Sequence, residues 1–306
     1  MAQKDKDRKN RNLERVTMEK IIYDKQFDEE RALYGISDTK VQKCIFDGPK
    51  DGESTFKECS NVEVEDCFFN LRYPFWHVHK GIIKKSRMTE GCRAALWYDD
   101  DITAEDCTMH GIKAFRECSD IKVRNCDIVS PEVFWRCSQI QVKHTKLESE
   151  YPFFESKKVT IDHLEMKGKY SFQYVENMNI TDSVLDTKDA FWHGKNVTVV
   201  DSIVKGEYLG WYSENLRFVR CKIIGTQPLC YCKGLILEDC TMEETDLSFE
   251  RSEVNAKIIG RIEGVKNPLK GRITADEIGE LLIEKQYVNP EDTVIRCGKI
   301  ERGDLR

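Results

Sequence analysis

The stretch Phe191-Trp192-His193-Gly194-Lys195-Asn196-Val197-Thr198-Val199-Val200-Asp201-Ser202-Ile203-Val204-Lys205-Gly206-Glu207-Tyr208-Leu209 runs straight into Gly210-Trp211-Tyr212. A tryptophan followed by a ring-bearing polar residue thus returns at a spacing of 19. The five tryptophans of the chain, Trp76, Trp97, Trp135, Trp192 and Trp211, follow one another at spacings of 21, 38, 57 and 19, three of them multiples of 19. A chain wound in coils of constant length keeps such a register, because residues one period apart lie above one another.

Working outward from that unit, starts fall at Leu33, Phe56, Phe75, Leu96, Phe115, Phe134, Phe153, Phe172, Phe191, Gly210, Leu229 and Ser248. Six residues after the start comes an apolar column (Val62, Ile102, Ile121, Ile140, Val159, Met178, Val197, Leu216), and two further on a second (Val64, Ile83, Val123, Val142, Ile161, Ile180, Val199). Polar residues separate the two, which is the period-two alternation of strands. A small column of Cys, Ser and Thr follows, then a last apolar one ending in Ile223 and Met242. Each unit reads as three short strands joined by turns, too short for a propeller blade of roughly 40 residues. The expected fold is all-β: a single-stranded right-handed parallel β-helix of about 11–12 coils with a period of 19. At ~4.8 Å per coil it forms a rod about 55 Å long.

Residues 1–17 are crowded with Lys, Asp, Arg and Asn and are expected to form a disordered leader. The β-helix is expected over 18–285, with an N-terminal cap at 18–32, a closing segment at 260–285 and a tail at 286–306. Within the cap a strand is expected at Lys20-Ile21-Ile22-Tyr23 and a turn of helix near Asp28-Glu29-Glu30-Arg31. No apolar stretch suits a signal peptide or a membrane span, so a cytoplasmic location without membrane attachment is expected. Net charge is −6 and the repeats hold no basic block, which argues against a nucleic-acid partner. Ten of the 13 cysteines fall in two interior columns, where they interchange with Ser, Thr, Val and Gly. They are expected to be reduced packing residues rather than disulfides or metal ligands, and the lone Cys230-x-Cys232 lacks the second half of a zinc motif.

Alternation places the tryptophan column outward (Lys57, Trp76, Trp97, Arg116, Trp135, Phe154, Gln173, Trp192, Trp211). The next column is polar or amphipathic: Glu58, His77, Tyr98, Glu117, Arg136, Glu155, Tyr174, His193, Tyr212, Tyr231. Two successive outward residues require a bend. Stacked aromatics beside carboxylates and imidazoles suit a carbohydrate-like ligand. They equally suit a protein contact or self-association into a homo-oligomer, and Glu117, Arg136 and Glu155 equally suit a plain ion-pair ladder. A catalytic alternative centres on Asp99, Asp100, Arg116, Glu117 and Arg136, with two carboxylates as acid and base of a lyase or glycosidase. The run Asp99-Asp100-Asp101 offers hard oxygens for Ca²⁺, the one cofactor considered. His77 and His193 stand six coils apart and cannot share a metal.

The strings Phe27-Asp28-Glu29-Glu30-Arg31-Ala32-Leu33-Tyr34-Gly35, Arg72-Tyr73-Pro74-Phe75-Trp76-His77, Cys92-Arg93-Ala94-Ala95-Leu96-Trp97-Tyr98 and Asp189-Ala190-Phe191-Trp192-His193 resemble an uncharacterised bacterial family with a pectin-lyase-like β-helix. So do Gly206-Glu207-Tyr208-Leu209-Gly210-Trp211-Tyr212, Gly225-Thr226-Gln227-Pro228-Leu229-Cys230-Tyr231-Cys232 and Lys266-Asn267-Pro268-Leu269. The likeness covers about residues 18–285. It implies the fold and, because that family is a domain of unknown function, carries over no catalytic positions. The wider fold group holds both polysaccharide-active enzymes and non-enzymatic binders.

Overall fold

A computed structural model describes residue 18 and residues 20–305; the leader expected over 1–17 lies outside the described residues. The chain forms a parallel β-solenoid of about 15 turns with ~19-residue coils. Ile121, Ile140, Val159, Met178, Val197 and Leu216 pair in succession, each with the residue one coil on. The apolar columns of the sequence are therefore interior ladders. A second, four-stranded sheet joins Phe56–Lys57, Phe75–Trp76, Leu96–Trp97 and Phe115–Arg116. It carries the start of the tryptophan column.

The expected 11–12 coils fall short because both ends continue the solenoid. Strand Lys20–Tyr23 pairs in parallel with Ser37–Gln42, so the N-terminal segment is itself a coil. At residues 28–31 the backbone turns without forming a helix. There Arg31 N donates to Glu53 O at 2.8 Å and Leu33 N to Thr55 O at 3.2 Å, so the segment bonds to the next coil rather than within itself. At the other end, strands Lys270–Ile283 and Thr293–Leu305 pair along their length, and the expected tail is a last coil. Register there runs Arg261↔Glu277 and Gly271↔Thr293, offsets of 16 and 22 that a period of 19 does not detect. Among the described residues no helix is long and apolar enough to cross a membrane.

Start positions fill the interior with rings. Phe115, Phe134, Phe153, Phe172 and Phe191 stack with centroids 4.7, 4.6, 5.3 and 5.0 Å apart, all fully buried. Coil spacing is close to ring-stacking distance, so one residue type repeated per coil packs without voids. Twelve of the thirteen cysteines are buried and all are free. Burial pushes the Cys59 thiol up to about 11 and the Cys67 thiol to about 12, which keeps both protonated and inert. The lengthened coil from Phe75 to Leu96 keeps those two residues paired. Its surplus falls between Met88 and Cys92, where the ladder to Met109 and Gly111 shifts register.

Phe172→Ala removes one ring from an uninterrupted stack. It is expected to lower unfolding free energy by about 3–5 kcal/mol, read as a fall in the guanidinium midpoint. Exposed Lys158→Ala in the neighbouring coil should leave that midpoint within about 0.5 kcal/mol of the parent.

Candidate functional site

The bend implied by two successive outward residues is a left-handed backbone conformation. Glu58, His77, Tyr98, Glu117, Arg136, Glu155, Tyr174, His193, Tyr212 and Tyr231 all have φ between 53 and 59°. Such a conformation costs an L-residue roughly 1–2 kcal/mol. Here it is held by a bond to the coil above: His77 N to Trp97 O at 3.0 Å, Glu117 N to Trp135 O at 2.8 Å, Tyr174 N to Trp192 O at 2.9 Å, Tyr212 N to Cys230 O at 3.2 Å. Every side chain of the outer column therefore leaves the same corner in the same direction. Repetition makes the column a surface.

That surface has two halves of different chemistry. In the first, His77 Nδ1 lies 3.4 Å from Glu58 Oε1, and the His77 ring meets the edge of Tyr98 at 5.4 Å. A hydrogen bond to Glu117 raises the pKa of the Tyr98 hydroxyl. Glu117 lies 3.8 Å from Arg116 Nε, and Arg136 Nε donates to Glu155 Oε2 at 2.7 Å. The pairing with Glu155 raises the pKa of Arg136. Each charged group is engaged with a neighbour, so this half is an ion-pair ladder of half-exposed groups, worth little individually.

The second half is aromatic. Tyr174, His193, Tyr212 and Tyr231 stack with centroids 4.9, 5.2 and 4.9 Å apart and planes within 9–12°. Tyr174 and Tyr212 keep 46 and 45% of their surface exposed. Ring faces are turned on one another along the solenoid axis, so solvent meets rims: phenol hydroxyls and imidazole nitrogens in a row. Desolvation raises the Tyr231 hydroxyl pKa. A ligand would find repeated hydrogen-bonding groups here rather than open ring faces.

The tryptophans stand one position inward of that corner and are half-buried. Trp76 and Trp97 stack at 5.3 Å under Lys57, whose ammonium sits 4.0 Å above the Trp76 ring. Arg116 lies over Trp135 at 5.6 Å, with Phe154 on its other side at 4.5 Å. Trp192 and Trp211 stack at 5.5 Å, and their indole N–H groups donate to Tyr208 O at 2.6 Å and Gln227 O at 2.8 Å. Neighbouring rungs and corner residues such as Tyr73 and Tyr208 cover the column. The indole nitrogens of Trp76 and Trp97 and Nη1 of Arg116 are buried without a hydrogen-bond acceptor; Nη1 has only Glu132 Oε2 at 3.6 Å.

Three consecutive aspartates separate instead of converging. Asp99 occupies the interior column of Cys59, Val78 and Cys118 and is 1% exposed. Its Oδ1 accepts from Val78 N at 2.7 Å, while Oδ2 is buried without a partner. Desolvation raises its pKa well above the carboxylate range. Asp100 turns outward to His79 Nδ1 at 3.1 Å and Ser119 Oγ at 2.5 Å, and Asp101 lies 3.7 Å from Lys122 Nζ. Of the carboxylates considered as acid and base, Asp99 is thus inside while Glu117 and Glu155 stand on the outer column, and the three aspartates do not converge as an oxygen cluster of the Ca²⁺ kind. Alternation explains the correction, since the residue after Tyr98 points inward and the polar run hides that turn. His144, Asp162 and His163, which sequence reading passed over, bring three donor atoms within 4.8 Å on another corner. Their signal was a column read across two coils, ten residues after each start.

Two measurements test these placements. Because its folded pKa lies above the unfolded value, Asp99 holds its proton more tightly when folded. Its contribution is therefore lost as pH rises from about 3.9 toward the raised value. Asp99→Asn should flatten that decline and raise stability at pH 7 by at least about 1 kcal/mol, seen in urea unfolding at pH 4 and pH 7. Trp192→Phe should cost about 1 kcal/mol more than Trp97→Phe, because only the former forfeits a hydrogen bond; paired thermal melts compare them.

Solved structures with a similar trace include PfbA, a surface adhesin of Streptococcus pneumoniae, at 7% identity and a TM-score of 0.42, covering 75% of this chain and 84% of that one. The Azotobacter vinelandii mannuronan C-5 epimerase AlgE4 A-module follows at 9% and 0.32, covering 94% and 91%. A tailspike protein of E. coli bacteriophage HK620, solved with a hexasaccharide, stands at 10% and 0.29, covering 82% and 59%. Likeness at this level carries no argument about activity. No curated protein matches the sequence. The family described as "Protein of unknown function (DUF3737)" matches residues 20–296, and with nearly the whole chain inside that match, this protein belongs to the DUF3737 family.

Proposed function

We propose that the protein is a binder of a carbohydrate-like, polyhydroxylated ligand, which lies along the row Tyr174, His193, Tyr212 and Tyr231. The observation that carries this reading is the stack itself, with rungs 4.9–5.2 Å apart and rims exposed. Such a row offers a donor or acceptor at each coil to a chain of hydroxyls. It stands on corners fixed by coil-to-coil backbone bonds, so little conformational entropy is lost on binding. Half-buried Trp192 and Trp211 stand beside the row, Trp211 edge-on to Tyr212 and Tyr231, with their indole N–H groups already engaged by backbone carbonyls. The charged half, with its mutually engaged groups, supports a flanking role better than catalysis.

Titration of an oligosaccharide panel, neutral and uronate-containing, followed by calorimetry, tests this reading. At least one member should bind, and Tyr212→Phe should weaken it by up to ~10-fold through loss of one hydroxyl while leaving the melting temperature unchanged. A panel without heat, together with a dimer in light scattering that Tyr212→Ala dissociates, would instead assign the row to self-association.

A further inference from the structure

We propose a second site, for a divalent transition-metal ion, at His144, Asp162 and His163. One ligand atom from each lies within 4.8 Å of the others. The two imidazoles sit on successive coils with centroids 4.7 Å apart. They belong to strands Ser138–Glu150 and Lys157–Lys169, which run unbroken through this corner and pair at Lys143↔Asp162 and Thr145↔Leu164 on either side. The donors are thus carried by a pinned backbone, with only side-chain rotation needed to close on an ion.

The residue types are not dictated by the backbone. This corner is left-handed in successive coils, and its column reads Asp24, Lys43, Asp66, Lys85, Asp106, Asn125, His144, His163, Asp182, Asp201, Arg220 and Asp239. Asp and Asn tolerate that conformation best. Basic residues share the column, but histidine occurs in it only at His144 and His163, two adjacent rungs whose rings meet.

The donors already face one another: His163 Nδ1 lies 2.6 Å from Asp162 Oδ1. An ion entering there replaces that contact, taking His163 Nδ1 and a carboxylate oxygen of Asp162 as adjacent ligands while the neutral imidazole carries its proton on Nε2. Lys143 Nζ, 3.7 Å from Asp162 Oδ2, competes with an ion for the same carboxylate. Two imidazole nitrogens and one carboxylate favour Zn²⁺, Ni²⁺ or Cu²⁺ over Ca²⁺ or Mg²⁺. Three protein donors on an exposed corner leave positions open to water or to a donor from another molecule.

The test uses the full chain without a polyhistidine tag, ¹⁵N-histidine labelled, and ZnCl₂ as the probe. One equivalent should shift the imidazole signals of His144 and His163 and leave those of the other four histidines in place. His144→Asn and His163→Asn keep a residue suited to the corner, so both should fold. Each should weaken binding by at least ~10-fold, whereas Lys143→Ala should tighten it. Unmoved His144 and His163 signals would overturn the proposal. So would undiminished affinity in the double variant, or binding abolished only by Cys297→Ser, the one thiol that is not buried.

Discussion

The structure rests on a backbone constraint: a left-handed residue at the corner of each coil whose N–H reaches a carbonyl of the next. The conformation is unfavourable for a side-chain-bearing residue, and an intercoil bond offsets it at each such corner. Because the bond joins equivalent positions, it also sets the register. Interior ladders, covered tryptophans and the outer column all follow from that one repeated link.

Such a link explains why some features were legible in the sequence and others were not. Spacing of the tryptophans and phenylalanines exposed the period, since stacking distance and coil rise coincide and like residues recur. The bend between Trp192 and Lys195 was legible as well, from two outward positions in a row. Asp99 was not, because a buried carboxylate among cysteines and serines looks like its exposed neighbours Asp100 and Asp101 in composition. The C-terminal coils escaped because their offsets depart from 19, although their backbone pairing is as regular as elsewhere. Side-chain identity reports period well and individual burial less well.

The outer column also shows how stacking and recognition compete. Rings placed face to face gain from one another and stiffen the surface, yet their faces are then closed to a ligand. Tyr174, His193 and Tyr212 present rims, so the row offers solvent hydroxyls and nitrogens rather than apolar area. In the charged half, pairing satisfies Arg136 and Glu155 internally and leaves little residual attraction for an outside ion.

The lengthened coil has a consequence for how such a protein can change. Its surplus residues bulge between Met88 and Cys92, while Leu96 and Trp97 stay in line with Phe75 and Trp76. Length is therefore negotiable on one wall without displacing the outer column on another. A lineage can grow or trim a loop there, and so alter what shields or flanks the surface, while every residue of the column keeps its address.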